Sequence, residues 1–187
     1  IGNTLSFGAG NNDAWILMIN SVGDIVWQKA YGGSSGDSIH SIKKTTDGGY
    51  ITAGNTNSFG AGLSDIWIMK LNTNGDITWQ KTYGAEGYDS ANSIQKTSDG
   101  GYIVVGSTTL SGDEWGDIYA LKLDSTGAIV WSRAYGVCCG DFGRFGQEIQ
   151  GEEVIPLREK EGPLWRSKLS PNTCASRRRK SACSPPP

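Results

Sequence analysis

Residues 47–54 read Asp-Gly-Gly-Tyr-Ile-Thr-Ala-Gly, and residues 99–106 read Asp-Gly-Gly-Tyr-Ile-Val-Val-Gly, 52 positions later. A second stretch keeps the same interval: Gly75-Asp76-Ile77-Thr78-Trp79-Gln80-Lys81-Thr82-Tyr83 follows Gly23-Asp24-Ile25-Val26-Trp27-Gln28-Lys29-Ala30-Tyr31. Working outward from these, residues 2–53 match residues 54–105 at 31 of 52 positions without a gap. Asp117, Trp131 and Tyr135 hold the register of Asp65, Trp79 and Tyr83 in a third unit. A fixed period of this length is the mark of a repeat architecture.

Each unit reads as four short strands separated by turn residues. In the best-defined unit the strands fall at 38–45, 50–54, 65–71 and 76–83. The first is ended by Asp47-Gly48-Gly49, and Asn72-Thr73-Asn74-Gly75 supplies an Asn-Gly hairpin signal between the third and fourth. Four antiparallel strands per repeat predict an all-β fold, a partial β-propeller of four-stranded antiparallel blades with about 52 residues per repeat. One such unit cannot bury both of its faces, so its neighbours must cover them. The recurring Trp27, Trp79, Trp131, Tyr31, Tyr83 and Tyr135 are read as that packing between units.

These motifs, D-G-G-Y-I-x-x-G and G-D-I-x-W-Q-K-x-Y-G, resemble the repeats of secreted bacterial and archaeal propeller proteins, grouped loosely with WD40-like and quinoprotein-like propellers. The resemblance covers roughly residues 1–150, and it implies an extracellular or cell-surface location. The Trp-Asp and Gly-His signatures of WD40 repeats are absent. On this phasing the chain holds half a blade, two full blades and the start of another, with a further first strand running from Asp141 to Ile149-Gln150. Closed propellers need at least about four blades, which implies further blades of a longer protein, or self-association, over the open edges.

Composition narrows the function. Glycine and aromatic residues are abundant and charge is modest, as short strands and tight turns require. The net charge of −2 hides an asymmetry, because residues 151–187 hold eight of the 17 basic residues and four of the 19 acidic ones. The acidic repeats would repel phosphate backbones, so no nucleic-acid partner is expected. No apolar run reaches bilayer length, so no membrane span is expected. Residues 151–187 share nothing with the repeat, include Arg177-Arg178-Arg179-Lys180 and end in three prolines. They read as an unstructured tail, or as sequence out of frame with the repeats.

Chemistry-bearing residues are sparse. His40 is the single histidine, which argues against His-based nucleophilic catalysis. Cys138-Cys139 resembles the vicinal disulfide of quinoprotein alcohol dehydrogenases, the basis of an alternative reading as part of a quinone-dependent enzyme. Asp37, Asp65, Asp89, Asp117 and Asp141 stand at the starts of first or third strands. A ring of such carboxylates suits calcium or a polyhydroxylated ligand, whereas the structural reading has each Asp accepting N–H bonds in its own turn. No other cofactor is expected. Phe59 and Trp115 lie in the long loops 55–64 and 107–116, outside the strand alternation. Phe59, Asp65, Asp89, Trp115 and Asp117 are therefore the candidate ligand-binding set, with the rings stacking on a carbohydrate or anchoring a protein partner. The competing expectation is that both rings fold back over the sheet edge. The function so predicted is a non-catalytic scaffold for extracellular binding or adhesion.

Overall fold

The computed structural model describes residues 1–6, 8–109, 116–135, 147–149 and 152–154, all within the compact unit Ile1–Pro156. Cys138, Cys139, Trp115 and Asp141 lie outside the described residues, as does the tail beyond residue 154. Every regular element described is a strand. The first antiparallel sheet joins β1 (Gly2–Thr4), β2 (Asp13–Ile19) and β3 (Ile25–Tyr31). The second is a meander of β4 (Asp37–Lys44), β5 (Tyr50–Thr56), β6 (Asp65–Leu71) and β7 (Ile77–Tyr83). The third repeats it with β8 (Asp89–Lys96), β9 (Tyr102–Thr108), β10 (Asp117–Leu123) and β11 (Ile129–Tyr135). A two-stranded pair, β12 (Gln147–Ile149) with β13 (Glu152–Val154), follows. Of the strand expected over 141–150, residues 147–149 form β12, paired with β13, and the remainder lies outside the described residues.

The turns form as the sequence requires. Asn72 Oδ1 accepts the N–H groups of Asn74 and Asp76 at 2.9 Å, and Asp124 does the same for Thr126 and Ala128 at 2.8 Å. These side chains mimic a backbone turn, which is why Asn or Asp opens each hairpin. Asp47 Oδ1 accepts the N–H of Gly49, and Asp99 Oδ1 that of Gly101, in the Asp-Gly-Gly turns. Lys70 and Lys122 come in from β6 and β10 to pair with Asp47 and Asp99 at 2.7 and 2.8 Å. Each lysine is buried, and its ammonium holds the partner carboxyl well below the usual range, chiefly through that hydrogen bond.

The core lies between successive sheets. Along β6 every residue is buried, without the alternation of a half-exposed strand. Ile66 and Ile68 face the third sheet, where they meet Val104 and Leu121. Trp67, Met69 and Leu71 face the first, against Ala14 and Ile16. A strand covered on both sides has no polar face to spare, and full burial of each isoleucine contributes roughly 1.5–3 kcal/mol.

The repeated aromatics join one sheet to the next hairpin. Tyr31 donates its hydroxyl hydrogen to the Gly75 carbonyl at 2.6 Å, and Trp27 Nε1 donates to Thr73 O at 3.2 Å. Tyr83 repeats the bond to Gly127 O at 2.7 Å. The tyrosines are buried, as expected for packing between units, while Trp27 and Trp79 are half-buried and pack against the rims of the two clusters. Burial, aided by the charge of Asp76, pushes the Tyr31 hydroxyl up to about 12. Burial and Asp124 raise Tyr83 in the same direction.

A pH dependence follows. The unfolded chain gives up these phenolic protons near pH 10, whereas the folded chain keeps them. Their stabilisation is complete below that value and falls as pH rises towards the folded values. Denaturant unfolding at pH 9 and pH 11 should show the loss, and the Tyr31→Phe, Tyr83→Phe variant should show a smaller one.

Candidate functional site

The long loop after β5 is built by short polar side chains. Thr56 Oγ1 accepts the N–H groups of Ser58 and Phe59 at 3.0 and 3.2 Å, which reverses the chain as it leaves the strand. Its hydroxyl hydrogen goes to Asp37 Oδ1. Asp37 Oδ2 accepts from Ser58 Oγ at 2.7 Å and from the Gly33 N–H at 2.8 Å. Asp37, on the second sheet, therefore anchors two loops at once.

The other aspartates follow the same rule in simpler form. Asp13 accepts the Gly10 N–H at 3.2 Å, Asp65 the Gly62 N–H at 3.1 Å, and Asp89 the Ala85 N–H at 2.9 Å. The expectation that each would bond within its own turn describes this geometry well. All four are buried, with exposures of 0–2%. Through these bonds Asp65 and Asp89 hold the loops at the sheet edge. Asp117 is half-buried and has interactions of its own.

The edge itself carries apolar groups. Phe59 is partly exposed, with its ring 5.9 Å from that of Trp67, so it both leans on the sheet and shows a face to solvent. Leu63 and Tyr88 are more than half exposed. They stand on neighbouring loops tied together by the Leu63 N–H to Gly87 O bond at 3.1 Å and the Asp89 N–H to Ser64 O bond at 2.7 Å. Sequence reasoning found Phe59 and missed Leu63 and Tyr88. No period marks them, since Tyr88 takes the place of Gly36 in the preceding unit.

The structure also forms pairs that were not foreseen. Asp13 and Asp37 converge beside Gly32, and Asp65 and Asp89 converge beside Gly84. The signal was present as a spacing of 24 residues, repeated between Asp117 and Asp141. Among the described residues no group of three or more His, Cys, Asp or Glu side chains gathers to hold a metal. His40 is exposed on β4, with Nδ1 2.9 Å from Ala91 O on the next sheet, a contact between sheets. No helix among the described residues is long and apolar enough to cross a membrane.

No protein-family model matches the chain, and no match is found among curated proteins. The residues alone carry the functional argument.

Proposed function

We propose that the chain is a section of a β-propeller, each four-stranded sheet a blade, and that it serves as a non-catalytic extracellular binding scaffold. The observation that carries the reading is the edge formed by Phe59, Leu63 and Tyr88. These three exposed apolar side chains sit on loops whose N–H groups bond to buried aspartates. Exposed rings on a rigid frame suit the face of a sugar or an apolar anchor of a protein partner. The location outside the cell rests on the resemblance of the repeat motifs.

The blade reading is supported by an asymmetry between like strands. Met69 and Leu71 on β6, and Leu121 and Leu123 on β10, are fully buried by the preceding sheet. Their counterparts on β2, Leu17 and Ile19, are 37% and 54% exposed. The surface that fits them is another sheet of the same kind, from further blades or from a second copy.

Glycan and protein arrays probed with the parent and with Phe59→Ala and Tyr88→Ala test the binding role. The expected result is a ligand whose affinity falls at least about tenfold in each variant while the melting temperature stays near the parent's. Binding that survives both substitutions would move the site elsewhere.

A further inference from the structure

The two aspartate pairs at the sheet junctions raise an electrostatic problem. A side-chain carbon placed on Gly32 would lie 2.1 Å from Asp13 Oδ1 and 2.7 Å from Asp37 Oδ2. One placed on Gly84 would lie 2.4 Å from Asp89 Oδ2 and 2.8 Å from Asp65 Oδ1. Each pair thus brings two carboxylates from neighbouring sheets against one glycine, in space that a side chain would otherwise fill. All four aspartates are almost wholly buried. None belongs to any of the ion pairs found among the described residues, which join Lys29 to Asp76, Lys70 to Asp47 and Lys122 to Asp99.

One oxygen in each pair lacks a hydrogen-bond partner. Asp13 Oδ1, which points at the Gly32 region and so towards Asp37, is buried and unpartnered; in the second pair Asp89 Oδ1 is buried and unpartnered, while its Oδ2 faces Gly84 and accepts the Ala85 N–H. A buried carboxylate oxygen without a donor is costly, and a second carboxylate beside it adds repulsion. A cation placed between them removes both penalties.

We propose that each junction binds a calcium ion between the third-strand aspartate of one sheet and the first-strand aspartate of the next, through Asp13 with Asp37 and Asp65 with Asp89. The donors are all oxygen, as a hard cation prefers. The loops that bond these aspartates also carry carbonyls: Gly33 O and Ser35 O lie against Gly10, whose N–H bonds Asp13, and Ala85 O and Gly87 O lie against Gly62, whose N–H bonds Asp65. An irregular set of carboxylates and carbonyls fits calcium better than magnesium, which demands near-ideal octahedral geometry. The ion would tie sheet to sheet at the end where the binding loops emerge, and the inference does not depend on what those loops bind.

The test is thermal unfolding of the full chain after exhaustive chelation and again in calcium chloride, with calorimetric titration for stoichiometry. The expected result is a saturable rise in Tm of about 5 °C or more, with at least two ions bound per chain. Asp13→Asn and Asp65→Asn should each remove one ion. In chelator these variants should be at least as stable as the parent, because a repulsion has gone, and in calcium less stable. An unchanged Tm with no heat of binding overturns the proposal, as does a full complement of ions in both variants. Equal stabilisation by magnesium overturns the assignment to calcium. If a variant fails to fold, titration of the parent decides alone.

Discussion

Gly54→Ala should cost more than about 3 kcal/mol of unfolding free energy, measured by urea denaturation, and Gly106→Ala should cost the same. The added carbon at Gly54 would stand 1.9 Å from the Ser38 carbonyl oxygen and 2.8 Å from the Ile39 Cα. At Gly106 the same distances are 1.9 Å to Ser90 O and 2.8 Å to the Ala91 Cα. These obstacles are backbone, on the strand paired with the glycine, so no rotamer change relieves them. The collision falls where the β4–β5 register shifts between Ile39 and Ser41, a bulge that brings the two chains close. Separating them would break the ladder that begins each four-stranded sheet. Against the roughly 5–15 kcal/mol ordinary for domains, such a loss is a large fraction of the stability. A cost below about 1 kcal/mol would mean that the strands do not approach in this way. The glycine that closes D-G-G-Y-I-x-x-G is thus there for clearance.

Alanine at Gly75 and Gly127 should be costly for a second reason, and Gly23 provides the control. All three lie at the same place in the β-hairpin and have positive φ, 79°, 77° and 93°. A Cβ in that region costs roughly 1–2 kcal/mol whatever surrounds it. At Gly75 it would also stand 2.9 Å from the Trp27 ring and 3.0 Å from the Tyr31 hydroxyl oxygen. At Gly127 it would stand 2.9 Å from the Trp79 ring and 3.1 Å from the Tyr83 hydroxyl oxygen. At Gly23 nothing among the described residues lies within 4 Å, and no described sheet packs on that turn. Overpacking of a rigid indole adds roughly 1–3 kcal/mol. Gly75→Ala and Gly127→Ala should therefore lose at least about 1 kcal/mol more than Gly23→Ala in the same denaturation experiment. Equal costs at the three positions would indicate that the ring-to-turn contact is not formed.

The strands were legible because the repeat writes each turn twice in nearly the same letters. The third strand was placed at its observed limits of 65–71, and the others fell within two residues. The β5 ends differ because Gly54-Asn55-Thr56 reads as a turn by composition, whereas pairing with Asp65 and Ile66 on β6 carries the strand to Thr56. The bulge in β4 could not be read, since it answers the backbone of the facing strand. Contacts between units were the least visible. Tyr31 finds Gly75, and Asp13 finds Asp37, only once the sheets are stacked, so no motif within one unit records either pair. The same holds for the binding edge, where Phe59 stood out as an aromatic in a loop. Tyr88 did not, because it breaks the repeat instead of following it.

Like sheets stack in succession, each clasping the hairpin of the next with its Trp and Tyr. The most direct test of this stacking is the proton NMR spectrum of Gly23, Gly75 and Gly127 in the intact chain. A glycine Hα held against an indole ring has its signal displaced by the ring current and shows nuclear Overhauser contacts to the ring. Both effects are expected at Gly75, from Trp27, and at Gly127, from Trp79, with neither at Gly23. Unshifted Hα signals at all three glycines, with no contact to either indole, would contradict it.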